Sequence, residues 1–270
     1  LRGAVTESIG RPAYEDARPL GNFQFSSLGA GALNPAFPNS GTLAIGNPNL
    51  KPYKATNYDL SLEWYSQRSG SISVALFRKH IADPIYGFSE VRNNVIHSEV
   101  GLETLAVSSQ RNAKSGSVDG FELNIYHPFR FLPAPFDGFG VEANLTLIDS
   151  KVDVQTRPGE NLPFFRQPDQ IRNFTFFYEK NRFSSRIAYT YMDGMLTGLA
   201  SARINDKWAD PEMRVDAQIR YRINEHYAVT AALRNITREQ ETYSFGAING
   251  PIREAYNIGR NISVGINLTY

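Results

Sequence analysis

Strict two-residue alternation of apolar and polar side chains, tight turns alternating with long connections, and aromatic residues gathered at one end together predict an all-β protein. The predicted architecture is an antiparallel up-and-down transmembrane β-barrel, with about ten strands present. Among the 270 residues are 17 Phe, 14 Tyr, 21 Gly and 15 Pro, a composition that favours strands punctuated by turns. No run of 12 or more residues shows a helical period with caps.

In chain order, strands are expected near 1–12, 54–67, 70–87, 104–128, 138–154, 168–179, 182–197, 212–224, 226–240 and 256–270. In the second, Tyr58, Leu60, Leu62 and Trp64 alternate with Asn57, Asp59, Ser61 and Glu63. The fourth has the weakest pattern, because 95–117 is polar and interrupted by glycine. In the eighth, Met213, Val215, Ala217, Ile219, Tyr221 and Ile223 alternate with Arg214, Asp216, Gln218, Arg220 and Arg222. The last sets Ile262, Val264, Ile266, Leu268 and Tyr270 against Asn261, Ser263, Gly265, Asn267 and Thr269. A period of two puts each set on one side of a sheet, whereas a helix would scatter the charges around its circumference.

The connections at 67–70, 179–182 and 224–225 are tight and 129–137 is modest; those at 13–53, 88–103, 155–167, 198–211 and 241–255 are long. Long and short joins alternate, so one end of the sheet carries turns and the other extended loops. Trp64, Phe139, Tyr178, Phe183, Tyr221, Tyr227 and Tyr270 all fall near the short-turn end on the apolar face, as a membrane–water interface selects. A soluble β-sandwich also alternates, but its strands average about five or six residues. It also has no reason to collect outward aromatics at one rim.

Charge nearly cancels, 28 Lys and Arg against 27 Asp and Glu, so the footprint of a nucleic-acid binder is missing. Without cysteine there is no disulfide, thiolate nucleophile or cysteine-based zinc site. No apolar stretch approaches the ~18 residues of a membrane-spanning helix. The chain opens at Leu1 in a strand without a signal peptide, which leads us to expect a piece of a longer or processed protein.

Parity puts Glu63, Lys79, Glu122, Glu142, Arg186, Arg214, Asp216, Arg220, Arg222 and Arg234 on the polar, lumen face. On the lipid face, a mid-bilayer Arg or Lys would cost about 2–4 kcal/mol. Each is either a wetted wall residue or, collectively, part of a surface for a polar domain filling the lumen. Gly138-x-Gly140-x-x-Ala143 imitates a dinucleotide fingerprint but enters a strand with no helix following. There is no G-x-S-x-G elbow, and the four histidines, at 80, 97, 127 and 226, are scattered, with His80 three residues from Asp83. No enzyme activity, cofactor or metal is expected. Five N-x-S/T sequons begin at Asn144, Asn173, Asn235, Asn261 and Asn267, four of them on the polar face of strands and one at a strand end.

The segment Gly46-Asn47-Pro48-Asn49-Leu50-Lys51-Pro52, followed by Thr56-Asn57-Tyr58-Asp59-Leu60, resembles the barrel of TonB-dependent receptors. Further pieces match in order: Val118-Asp119-Gly120-Phe121-Glu122, Leu132-Pro133-Ala134-Pro135 with Gly138-Phe139-Gly140, Asn235-Ile236-Thr237, and Gly259-Arg260. Tyr53, Arg238 and Tyr270 depart from the family pattern. The resemblance covers essentially the whole chain and is nearest the Xanthomonas/Caulobacter-type proteobacterial subgroup.

The resemblance implies a 22-stranded outer-membrane barrel occluded by an N-terminal plug, of which residues 1–270 form the C-terminal part, without the plug and earlier strands. It implies uptake of a scarce nutrient, driven through TonB by way of the absent N-terminal region. The expected partners are outer-membrane lipid, the plug of the same protein, TonB, and a small-molecule or oligosaccharide ligand, with no nucleic acid. Carbohydrate is favoured over a siderophore or other metal chelate, by analogy. In the outer loops Tyr86, Phe164, Phe165, Trp208, Tyr243 and Phe245 could stack on sugar rings or flat chelates, or pack loop on loop. The alternatives are a self-contained ten-stranded barrel acting as a protease or lipase, or a passive pore. Both require a closed barrel, whereas the transporter part requires an open sheet with edges at 1–12 and 256–270.

Overall fold

The structure, a computed structural model, describes residues 1–26, 40–66, 70–97 and 102–269. The first half runs β1 (Arg2–Gly10), α1 (Tyr14–Ala17), β2 (Gly21–Ser26), β3 (Ser40–Ile45), β4 (Tyr53–Ser66), β5 (Gly70–Ala82), β6 (Ile85–His97), β7 (Leu102–Asn112) and β8 (Ser115–Pro128). The second continues β9 (Phe139–Asp153), β10 (Gln170–Lys180), β11 (Phe183–Met192), β12 (Met195–Ala200), β13 (Lys207–Ala209) and β14 (Glu212–Arg222). It closes with β15 (Tyr227–Arg234), β16 (Gln240–Phe245), β17 (Ile252–Asn257) and β18 (Asn261–Leu268).

Ten strands form the wall in the order β1-β4-β5-β8-β9-β10-β11-β14-β15-β18. They are the ten that alternation predicts, each antiparallel to its neighbours. The register carries the pattern sideways. Trp64, Ile72, Ile125, Ala143, Phe174, Tyr189 and Val215 lie opposite one another across seven strands. One residue along, Glu63, Ser73, Asn124, Asn144, Asn173, Thr190 and Arg214 make the matching polar row.

Among the described residues nothing covers the apolar face: Leu62, Ile187 and Val264 are 58%, 54% and 72% exposed. So much aliphatic surface in water would oppose folding at roughly 25 cal/mol per Å²; against lipid hydrocarbon it is matched. β1 and β18 are the two edges, and the wall is open rather than closed on itself. A self-contained ten-stranded barrel would have paired them.

The long connections differ from the expected loops. They form a second, eight-stranded sheet, β17-β16-β13-β12-β6-β7-β3-β2. The expected strand 70–87 breaks at Asp83 (φ 52°) and Pro84, and 104–128 breaks at Ala113 and Lys114. Proline lacks an amide hydrogen for the ladder, and a left-handed residue reverses the pleat. Beyond the break, β6 and β7 continue as a hairpin, and the stretches before β14 and after β15 likewise extend upward. Hairpins from different connections join through parallel pairings, β6 with β12 and β3 with β7.

The motif segments buckle these two sheets together. The Asn47 amide donates to Gln110 O (3.1 Å), and Lys51 N donates to Asn112 Oδ1 (2.9 Å). Asn112 Nδ2 donates in turn to Lys51 O and Asp83 O. Asn235, 5% exposed, donates to Glu239 O and Gly259 O (both 3.0 Å) while its Oδ1 accepts from Glu239 N. Arg260 Nε donates to Ile236 O (2.8 Å), so Asn235-Ile236 and Gly259-Arg260 meet at one joint.

Candidate functional site

All ten charged residues assigned to the lumen share the polar face by register. Asn124 donates to Ser73 Oγ (3.2 Å), Asn144 to Asn124, and Asn173 to Asn144 (3.4 Å), an amide ladder across four strands. The ladder occupies the side chains of two of the five sequon asparagines. Asn267 likewise donates to Thr230 Oγ1 (3.0 Å).

Near the long-loop end two of them are engaged: Arg214 pairs with Glu212 and with Glu241 (2.7 Å), and Asp216 accepts from Asn235 N (2.7 Å). Toward the short-turn end, Glu142, Arg186 and Arg220 come together with Gln218 in a cleft of about 290 Å³. Its wall includes Tyr126 stacked on Phe177 at 5.7 Å. Among the described residues, the side chains of Lys79, Glu122, Glu142, Arg186, Arg220, Arg222 and Arg234 form neither ion pair nor hydrogen bond. Glu63 accepts from the Tyr65 hydroxyl (2.9 Å) and lies 3.8 Å from Arg2. Such a surface suits water or a polar body rather than an apolar one.

The six loop aromatics fall into two groups. Tyr86 is 3% exposed, stacked on Phe165 at 5.4 Å and edge-on to Phe88 at 6.4 Å. With Phe164, Phe165 and Trp208 it packs against Ala113, Val152, Val154, Leu162, Leu196 and Leu199, the apolar core of the loop layer. Tyr86 and Phe165 cover each other's faces, and Phe164 meets Phe165 edge-on at 6.5 Å. Tyr243 and Phe245 instead lie on β16, half-buried. Tyr243 meets Tyr256 edge-on at 6.0 Å, with the Arg253 guanidinium 5.5 Å from its ring.

Sequence reading missed the strongest polar link of this layer. Arg157 and Asp206 pair at 2.6 Å, 5% and 1% exposed, and Arg157 also binds Glu160. That bonding holds the Glu160 carboxyl below the usual carboxylate range and raises the Arg157 guanidinium. The other Asp206 carboxylate oxygen accepts from Ala200 N (2.9 Å), and its carbonyl accepts from Gly246 N (2.8 Å). One aspartate thereby ties together three long connections. Burial of an Arg–Asp pair from two loops leaves no periodic trace in sequence.

On the face of the loop sheet lies an open cleft of about 430 Å³, floored by Gly87, Ser89, Ser108 and Gly198 and edged by Arg18 and Lys207. It too went unread, because its floor is drawn from separate connections. No cluster of His, Cys, Asp and Glu able to hold a metal occurs among the described residues. Gly140, the middle of the dinucleotide-like run, lies inside β9 beneath the Phe177 ring.

An open antiparallel wall with one lipid-type face, one charged face and all long connections at one end defines the wall of an outer-membrane β-barrel. The chain belongs to the TonB dependent receptor-like β-barrel family, whose pattern matches residues 1–236. No curated protein matches it in sequence. Among solved structures, a mutant of the ferric enterobactin receptor PfeA from Pseudomonas aeruginosa is 15% identical, with a TM-score of 0.65 over 98% of this chain and 37% of that one. The siderophore receptor PirA from Acinetobacter baumannii is 16% identical, with a TM-score of 0.63 over 99% of this chain and 38% of that one. The copper transporter OprC is 14% identical, with a TM-score of 0.62 over 99% and 36%. The chain therefore spans under two fifths of the length of these structures, with which it shares the fold.

Proposed function

We propose that these residues form the wall and outer loop layer of a receptor that imports a scarce nutrient across the outer membrane, with energy relayed through TonB. The observation that carries the proposal is the charged face at the short-turn end. Among the described residues Glu142, Arg186 and Arg220 have no ion-pair or hydrogen-bond partner there, a surface suited to a polar domain of the same protein acting as a plug. The proposal assigns the chain no catalytic step. The loop layer would meet a small-molecule or oligosaccharide ligand.

For the ligand class, the lean toward carbohydrate and toward a Xanthomonas/Caulobacter-type subgroup draws no support from the similar structures. Their names include enterobactin, siderophore and copper. A ferric siderophore is therefore the competing class.

The test is uptake of radiolabelled ferric enterobactin and of labelled oligosaccharides by cells expressing the full-length protein, with and without TonB. Accumulation of one class only when TonB is present supports the proposal and names the class. Accumulation indifferent to TonB would make the protein a passive pore.

A further inference from the structure

The turn between β8 and β9 is the longest at the short-turn end, and it differs from its neighbours in chemistry. It reads Phe129-Arg130-Phe131-Leu132-Pro133-Ala134-Pro135-Phe136-Asp137. We infer that this turn is a membrane anchor: its aromatic rings insert into the periplasmic leaflet and Arg130 contacts lipid phosphate.

Three observations carry the assignment. First, the rings continue the lipid face. Phe129 and Phe131 lie 5.5 and 6.2 Å from His127, which shares that face of β8 with Ile125. Phe136 stacks on Phe139 at 6.4 Å, and Phe139 continues to Phe176 and Tyr178 at 5.2 and 4.8 Å. Tyr178 in turn meets Phe183 at 5.8 Å. Second, Phe131 and Phe136 are 74% and 54% exposed, a burden in water that the headgroup–acyl boundary of a bilayer relieves.

Third, the turn is held in place. Tyr178 donates its hydroxyl to Pro135 O (3.2 Å), Lys180 pairs with Asp137, and Phe129 N donates to Phe139 O (2.7 Å). A rigid turn presents its rings without a large ordering cost. Arg130, between two Phe rings, is exposed and makes no ion pair or hydrogen bond among the described residues. A guanidinium so placed matches a phosphate oxygen pair, with the flanking rings in the acyl region.

These 270 residues contain no cysteine, and any cysteine elsewhere in the full-length protein is first replaced by serine. Single variants Phe131→Cys, Phe136→Cys, Glu225→Cys and Ile187→Cys of the full-length protein, reconstituted in phospholipid vesicles, are spin-labelled. Collision with oxygen, which partitions into lipid, is compared with collision with a water-soluble nickel chelate. Glu225 sits in another turn at the same end and Ile187 on the lipid face of β11. The expected result is an oxygen-to-nickel ratio at 131 and 136 well above that at 225 and toward that at 187.

A ratio at 131 and 136 equal to that at 225 would overturn the anchor. So would protection from both reagents, which would show that protein covers the rings. If 187 also reads as aqueous, the lipid-face assignment falls and the anchor with it. Adding Arg130→Glu to the Phe131→Cys variant should lower the ratio; an unchanged ratio would remove the phosphate contact from the inference.

Discussion

Arg157 and Asp206 show how much a single buried pair holds when it joins separate connections. Removing one partner of such a pair leaves an uncompensated charge and costs about 3–5 kcal/mol, while replacing both with apolar residues costs far less. Asp206→Ala should therefore open residues 154–169 to protease and lower the urea midpoint, and Arg157→Leu with Asp206→Leu should recover most of the loss. Glu160 adds a pH dependence of known sign. Its folded-state pKa lies below the unfolded value, near 4.5, so its contribution is present above that value and is lost as pH falls through the lower one. Protease resistance of the segment should fall across that acid window in the native protein and less steeply in Glu160→Gln. None of this was legible in the sequence. Parity did place the ten wall charges on one face, because a strand allows only two directions. It could not say that Tyr86 and Phe165 would cover each other's faces, since that depends on where another loop folds.

At the scale of the element, two glycines explain motif positions that otherwise read only as resemblance. Gly120 of β8 lies opposite Phe77 and Gly140 of β9 opposite Phe177. A Cβ at either would overlap the facing ring, so the glycine lets the aromatic lie flat across the polar face. Gly140→Val should reduce the heat-resistant, folded fraction on cold gel electrophoresis, and adding Phe177→Ala should restore part of it; equal losses in single and double variants would refute the pairing. The wall strands were readable because they run to 14 or 15 residues with one period. Those of the loop layer were not, because β13 has three residues and β12 six, and besides each other their partners, β6 and β16, come from other connections.

For the whole molecule, the two faces of the wall answer to different solvents. Ile187 and Ala188 are neighbours on β11, one among lipid-facing residues and the other between Thr175 and Asp216 on the polar face. Ile187→Arg should cost about 2–4 kcal/mol and deplete folded protein from the membrane, while Ala188→Arg should leave it near the native level. Quantifying folded protein in outer-membrane fractions checks both. Comparable loss in the two variants would contradict the assignment of faces. The described end of β18 and the turn residues around it extend the aromatic rim through Tyr227 and Tyr221; Tyr270 lies outside the described residues.

The sequence by itself determined the wall: ten strands, their two faces, and which end carries the long connections. It could do so because a pleat of period two, matched to lipid on one side, writes itself into every residue. Tertiary structure alone decided that the long connections become a sheet. It also decided which loop aromatics are covered and where Arg157 finds Asp206. Those outcomes rest on pairings between segments far apart in the chain, and a local pattern does not encode the partner that a backbone amide or a buried charge will meet.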